Sequence, residues 1–324
     1  MLKFTTFVRI AFALLAGAHA LAAHAQVFPS KPIRIIVGFS AGSASDLLAR
    51  AVGAKLSDAL GQPVVIENKP GANAIIAAQA VATAAPDGHT LLVVSAAHAA
   101  TPALYKTLPY DTLKDFAGVS RIANVPSMLI VTPGLGAKSV ADLVRMGKAK
   151  PGGLNFSSPG KGSANHLAAE LFLTKAGFKA QHVPYKGIPE ALTGVVTGEI
   201  QFAFLPVMNV LSLASQGKVS VLGVSTATRS QALPSAPPVA EAGVPGYVFD
   251  PWFGLLAPAK VPAPVMELLA AQVEKALQSA DVRQKLQLVG ADAAPLTLGR
   301  FDAYLQAEVA KFREIAAGAG IVPE

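Results

Sequence analysis

The sequence predicts an α/β protein of two domains, and three observations carry that expectation. Strand-length β-branched runs alternate with helix-period runs from Pro32 onward, the pattern of largely parallel sheets covered by helices. At 324 residues the chain is long enough for about two domains of ordinary size. It is 52% hydrophobic and only 15% charged, so it can bury a sizeable core. With aromatics at 6%, that core must come from small residues packed closely rather than from stacked rings.

The first residues stand apart. Lys3 and Arg9 make a basic start, residues 10–17 are a short apolar run, and Ala23-His24-Ala25 is a small-x-small cleavage site before Gln26. The run is shorter than the ~20 residues a spanning helix needs. Residues 1–25 therefore read as a cleaved signal peptide, and the mature protein as periplasmic. No later stretch reads as membrane-spanning, since runs such as 90–94 are strand-length and bounded by polar or turn residues.

Residues 33–37 are a β-branched strand, and 46–60 a helix with Leu48, Val52, Leu56 and Leu60 on one face. A strand at 63–67 ends in the turn Asn68-Lys69-Pro70-Gly71. A helix at 75–85 and the turn Pro86-Asp87-Gly88 lead to a strand at 90–95. Strands follow at 128–131 and 154–157, with helices at 140–149 and 163–177. Shorter units lie at 182–183, 190–197, 200–204 and 219–225, and the tail holds helices at 265–279 and 297–316. Proline-rich joints sit at 233–238 and 258–264, and no repeat of fixed period is present.

Composition excludes several functions. Cysteine is absent, which removes disulfides, thiolate metal sites, a cysteine nucleophile and a lipidated N-terminal cysteine. The formal charge is +7, but the basic residues are scattered without aromatic interleaving, so no nucleic-acid partner is expected. The surplus mildly favours anionic ligands. The histidines beyond the signal are His89, His98, His166 and His182, without metal-ligand spacing, and neither a Walker loop nor a dinucleotide fingerprint occurs. No metal or cofactor is expected.

In α/β sheets, ligands gather where strands lead into helix N-termini. Three such loops are rich in small and hydroxyl residues. The first runs from Gly38 to Asp46 and contains Phe39, Ser40, Ala41, Gly42 and Ser43, with Ser43 or Ser45 placed to cap the helix. The second is Ser95-Ala96-Ala97-His98. The third runs from Ser157 through Ser158, Gly160, Lys161 and Gly162 to Ser163, and opens the helix carrying Asn165 and His166. Helix-start amides and hydroxyls together make a carboxylate cradle without an arginine. Gly38-Phe39-Ser40-Ala41-Gly42 also spells the G-x-S-x-G nucleophile elbow, which raises a serine hydrolase using Ser40 as the alternative. Against it, the string follows the first strand, no oxyanion loop precedes it, and the latest histidines lie mid-chain.

At these loops the sequence resembles the tripartite tricarboxylate transporter receptors, the Bug family of extracytoplasmic solute-binding proteins. The similarity is carried by residues 28–37, 39–46, 60–68, 85–88, 104–106, 108–111, 182–187 and 252–258. It implies a type II periplasmic-binding-protein fold, two α/β lobes around a ligand cleft, serving a membrane permease or a sensor kinase. By the same resemblance, Phe39 to Asp46 is the first-lobe carboxylate loop. Ser158, Gly160, Gly162, Ser163 and His166 form the facing loop, and Tyr185, Lys186 and Gly187 the cleft edge. Trp252-Phe253 is read as core or hinge packing. The chain departs from the family pattern at Ser40 and Ser43, at Lys161, and at Phe204-Leu205-Pro206, where many relatives carry an acidic residue.

The expected architecture is residues 26–124 plus 226–324 as lobe one and 125–225 as lobe two. The expected function is capture of a small carboxylate by hinged closure, in a monomer and without catalysis. Leu205 replaces a partner for an ammonium, which points to a di- or tricarboxylate or an aromatic acid, with an apolar body favoured. A sensor-only binding module is the remaining alternative. The intact mass of the exported protein is expected to correspond to a chain starting at Gln26. A mass retaining residues 1–25 would refute export by cleavage.

Overall fold

The computed structural model describes residues 28–318 and 320–323; the expected signal segment and the boundary at Gln26 lie outside them. In the first lobe, β1 (Ile33–Val37), β2 (Val64–Asn68), β3 (Thr90–Ser95), β4 (Phe116–Asn124), β10 (Trp252–Pro258) and β11 (Asp292–Thr297) form one sheet. Its strand order is β11-β4-β10-β3-β1-β2. In the second lobe, β5 (Ser127–Val131), β6 (Asn155–Ser158), β7 (Gln181–Pro184), β8 (Phe202–Pro206) and β9 (Ser220–Val224) form another, ordered β7-β6-β8-β5-β9. The helices of the first lobe are α1 (Ala44–Leu60), α2 (Ile75–Ala82), α3 (Ala96–Leu104), α8 (Ala263–Gln278), α9 (Ala280–Leu288) and α10 (Gly299–Gly318). Those of the second are α4 (Val140–Ala149), α5 (Ala164–Ala176), α6 (Ile188–Thr197) and α7 (Val207–Ser215). Among the described residues, no helix is long and apolar enough to cross a membrane.

The sheets are mixed, not largely parallel as the alternating pattern suggested. β1 pairs in parallel with β2 and β3, but β10 runs antiparallel to both β3 and β4. The reason is connectivity. β4 carries the chain out towards the second lobe and β10 brings it back, so neighbours in one sheet must run in opposite directions. At the crossing, the Val125 N–H donates to the Pro251 carbonyl at 2.7 Å. Beyond residue 226 the chain stays beside the second sheet. The Val224 N–H donates to Pro237 O at 2.8 Å, the Phe249 N–H to Ser225 O at 2.9 Å, and the Tyr247 hydroxyl to Ala168 O at 3.2 Å. The segment 226–249 thus lies along the open edge of β9, which would otherwise present unpaired backbone groups.

Strand periodicity sends side chains into cores on both faces. Ile33, Ile35 and Val37 pack with Leu48, Val52 and Leu56 of α1, while Ile36 points into the opposite core. In β5, Leu129 and Val131 face one side and Met128 and Ile130 the other. Residues 95–98, expected as a loop, open α3 instead. Pro102 removes the N–H that would bond the His98 carbonyl, and the Thr101 hydroxyl donates there at 2.8 Å in its place. Trp252 is fully buried, its indole N–H donating to Glu308 at 2.9 Å, so its role is packing beside the crossing.

Phe301 of α10 meets this sheet through two glycines. A Cβ on Gly254 would lie 2.3 Å from the Phe301 ring, and one on Gly118 at 2.8 Å. Because the ring is wholly buried, it cannot swing aside. Gly254→Ala is expected to cost about 1–3 kcal/mol through overpacking. Urea unfolding should show a lower midpoint with an unchanged slope. Gly299→Ala, where the added Cβ meets open space, should leave the midpoint in place.

Candidate ligand-binding cleft

The loop between β1 and α1 is set by one buried carboxylate. Gly42 takes φ +83°, and its N–H donates to Asp46 Oδ2 at 2.9 Å. Arg50 Nε donates to the same oxygen at 3.0 Å, and Asn68 Nδ2 donates to Oδ1 at 3.0 Å and to the Phe39 carbonyl at 2.9 Å. Arg50 holds the Asp46 carboxyl below its ordinary value against the opposing effect of burial, with the Gly42 and Asn68 donors adding to it. Ser43 caps the helix by accepting from the Asp46 N–H. Intrahelical bonding begins with the Leu47 N–H to Ser43 O at 2.9 Å, leaving the N–H groups of Ala44 and Ser45 ahead of it.

The second lobe repeats this design with different chemistry. Gly162 takes φ +77° and its N–H donates to His166 Nδ1 at 3.0 Å, as Gly42 donates to Asp46. Ser163 caps α5 by accepting from the His166 N–H, and the Leu167 N–H donates to Ser163 O at 3.0 Å. Because Nδ1 accepts, neutral His166 carries its proton on Nε2, which faces Glu170 at 3.4 Å. Asn165 Nδ2 ties the loop to the Phe204 carbonyl at 2.8 Å. Behind it, His166 stacks on His182 at 3.9 Å, and His182 Nε2 lies 2.7 Å from the Ser158 hydroxyl. Burial, and then His166, push the His182 imidazole down to about 4.

The two loops border one cleft of about 620 Å³ between the lobes. The first turns of α1, α3, α5, α6 and α7 all reach it, through Ser43 to Ser45, Ala96 and Ala97, Ser163 to Asn165, Ile188, and Met208 with Asn209. No Asp, Glu, Lys, Arg or His is among its described lining residues. Asn73 reaches it from a segment in which Ala72, Asn73 and Ala74 take φ of 44°, 52° and 70°. Left-handed backbone costs roughly 1 kcal/mol or more per non-glycine residue. It is held against the base of the first loop: a Cβ on Gly38 would lie 2.2 Å from that of Ala74.

The structure brings together Phe39, Gly42, Ser43, Ser95, Ala97, Gly162 and Ser163 at this cleft. Gly160 lines an adjoining recess of about 360 Å³ that shares Asn73, Gly162 and Ser163 with it. Other expected contacts are corrected. Ser40 and Ala41 sit on an exposed turn outside the lining, closed by the Ser43 N–H to Ser40 O. Asp46, His166 and Ser158 lie behind the loops and shape them. His98 turns into the core against Tyr110 and Phe116. Tyr185 packs over Gly194 of α6, and Lys186 points outward. Leu205 is wholly buried with Met128 and Ala203, because the strand alternation of β8 sends it inward; it is no part of the cleft wall. Among residues not expected there, Leu47, Ile188, Met208, Phe253 and Val289 line the cleft. The exposed helix-start apolar side chains of Leu47 and Met208 were the available signal.

Among the described residues, no histidine is hydrogen-bonded to Ser40. The four described histidines are engaged elsewhere, His89 with the Ser30 N–H and Asp87, His98 in the core, and His166 with His182 in the second lobe. Burial also makes His98 a pH sensor of folding. It pushes the imidazole down to about 4, whereas an unfolded histidine titrates near 6.5. The unfolded chain therefore binds a proton that the folded chain refuses, and stability present above about pH 6.5 is lost as the pH falls towards 4. Asp250, which burial raises to about 6, acts in the opposite sense between pH 4 and 6. A His98→Phe variant is expected to lose less stability than the parent between pH 7 and 5, by on the order of 1–2 kcal/mol. Parallel acid slopes of Tm in the two proteins would refute this.

The comparisons with known proteins agree with this geometry. A family model described as the tripartite tricarboxylate transporter family receptor matches residues 48–320. Protein BugT of Bordetella pertussis is 33% identical over 302 residues, covering 93% of this chain and 91% of its own. A solved structure of R. palustris Rpa4515 with adipate is 34% identical with a TM-score of 0.76, and the match covers 92% of this chain and 100% of that one. MatC from Rhodopseudomonas palustris with bound malate is 30% identical with a TM-score of 0.70, covering 89% and 99%. These are solute-binding receptors, not enzymes. The chain belongs to the tripartite tricarboxylate transporter receptor family.

Proposed function

We propose that this chain is an exported periplasmic receptor that captures a small carboxylate by closure of its two lobes and delivers it to the membrane subunits of a tripartite transporter. The observation that carries the reading is the convergence of five helix N-termini on one cleft. Each helix start bears roughly half a positive charge, so together they offer an anion on the order of two charges. The ligand carboxylate would accept from the Ala44 and Ser45 amides on one side and the Ala164 and Asn165 amides on the other. The hydroxyls of Ser43, Ser95 and Ser163 are adjacent donors. The adipate and malate in the two related structures support the same ligand class.

Closure would turn on the crossing segments at 125–126 and 250–251, where the chain passes between the lobes. Lobe one is then 26–124 with about 250–324, and lobe two 125–249, the later boundary being favoured by the packing of 226–249 on β9. Delivery to a permease rests on the family.

Proline at the first helical position tests the cradle. It deletes one N–H while suiting the helix, and the extended Ser43 and Ser163 backbones accept a following proline. Calorimetric titration is expected to show carboxylates binding and their carboxamides not. Ala44→Pro and Ala164→Pro should each weaken binding about tenfold to a hundredfold with the Tm of the free protein preserved. Unchanged affinity in both variants would remove the helix starts from the ligand site.

A further inference from the structure

We infer that the recess beside the cleft is a second subsite, in which Lys161 takes the far carboxylate of a linear dicarboxylate whose near carboxylate lies at the helix starts. The inference rests on the receptor reading above and narrows it to a ligand class and a specificity-determining residue. The recess adjoins the cleft at Asn73, Gly162 and Ser163, which line both. It also straddles the lobes, with Asn73, Leu104 and Tyr105 on one side and residues 159–163 on the other. The lobes touch at this point, since a Cβ on Gly162 would lie 3.1 Å from Leu104 Cδ1. Among the described lining residues of cleft and recess together, Lys161 is the only charged side chain.

The turn that carries Lys161 has a counterpart in the first lobe. The Ser163 N–H donates to Gly160 O at 3.2 Å across Lys161 and Gly162, as the Ser43 N–H donates to Ser40 O at 3.1 Å across Ala41 and Gly42. Gly162 and Gly42 take the same left-handed backbone, at φ +77° and +83°. The first turn forms with alanine at its tip, so the second does not need a lysine there to fold. Ala41 lies outside the lining of cleft and recess, whereas Lys161 is part of it. Its ammonium has three donors, enough for a ligand oxygen beside a protein acceptor. Asn73 stands where the two spaces meet, held by a backbone at φ 52°, and its neutral amide is a further donor to a ligand passing between them. Closure would draw residues 159–163 and Asn73 together around the far carboxylate, excluding water and strengthening its pairing with Lys161.

Diacids and their monoamides, equal in length and differing in one charge, isolate the subsite. Titration of the mature protein with succinate, glutarate, adipate and pimelate, each beside its monoamide, is expected to show a diacid binding about tenfold or more tighter than its monoamide. Lys161→Ala should weaken that diacid about tenfold while leaving the monoamide within about threefold of its parent affinity. Lys175→Ala, which deletes an exposed lysine at the end of α5 remote from the cleft, should keep the preference intact. The inference is overturned, and a carboxylate receptor left standing, if no diacid is preferred over its monoamide or if the preference survives Lys161→Ala. A preference lost equally in Lys175→Ala, or binding confined to carboxylates outside the series, overturns it too. Failure of every carboxylate to bind the parent, in this series and in the wider titration above, would instead overturn the receptor reading itself.

Discussion

β4 and β10 lie side by side in the first sheet, with Trp252 opposite Asn124 and Pro258 opposite Phe116. The chain leaves for the second lobe along one and returns along the other. That pairing sets the position of the crossing, because the Val125 to Pro251 bond closes the ladder where the strands depart. It also makes the first sheet mixed, with β10 antiparallel to β3 on its other side. The start of α3, at Ser95, therefore lies beside Phe253 at the cleft. α10 locks the arrangement from outside, with Phe301 seated on Gly118 and Gly254 and Glu308 bonded to the Trp252 indole. The first lobe's side of the cleft is thus fixed by backbone pairing.

Much of this was legible from residue patterns, and the exceptions have identifiable causes. The helix expected at 140–149 and the strand at 90–95 have the bounds observed, since each has clean periodicity and a definite stop. β4 went unread because Ala117, Gly118 and Ala123 dilute its strand signal. Gly118 is there to admit Phe301, a partner 183 positions away that no local window contains. β10 was masked by prolines at 251 and 258 that bracket it and resemble a joint. α3 was masked by its own Pro102, whose missing bond is repaired by Thr101.

Of the site, the three hydroxyl-rich loops were readable because capping and glycine turns are local chemistry. Which of their side chains meet the ligand was not. Asp46 and His166 occupy equivalent places at the third helical position and both turn back onto a glycine N–H. Sequence spacing marked them as site residues without showing that they face away from the cleft. Leu205 and His98 failed for the same reason in other elements, since one residue of register along β8 or one turn of α3 decides between cleft and core.

The equivalence of the two loops clarifies how the proposed site would hold an anion without a cation in the described lining. A carboxylate at Asp46 gives its loop a strong acceptor for the Gly42 amide but sets a negative charge behind the site. Arg50, bonded at 3.0 Å, compensates that charge locally, and Asn68 satisfies the second oxygen. The facing loop avoids the difficulty by using a neutral imidazole as the acceptor. Two acidic loop anchors would oppose the helix dipoles from both sides. With one compensated carboxylate and one imidazole, the field at the cleft is left to the helix starts, whose donors are fixed in place before the ligand arrives.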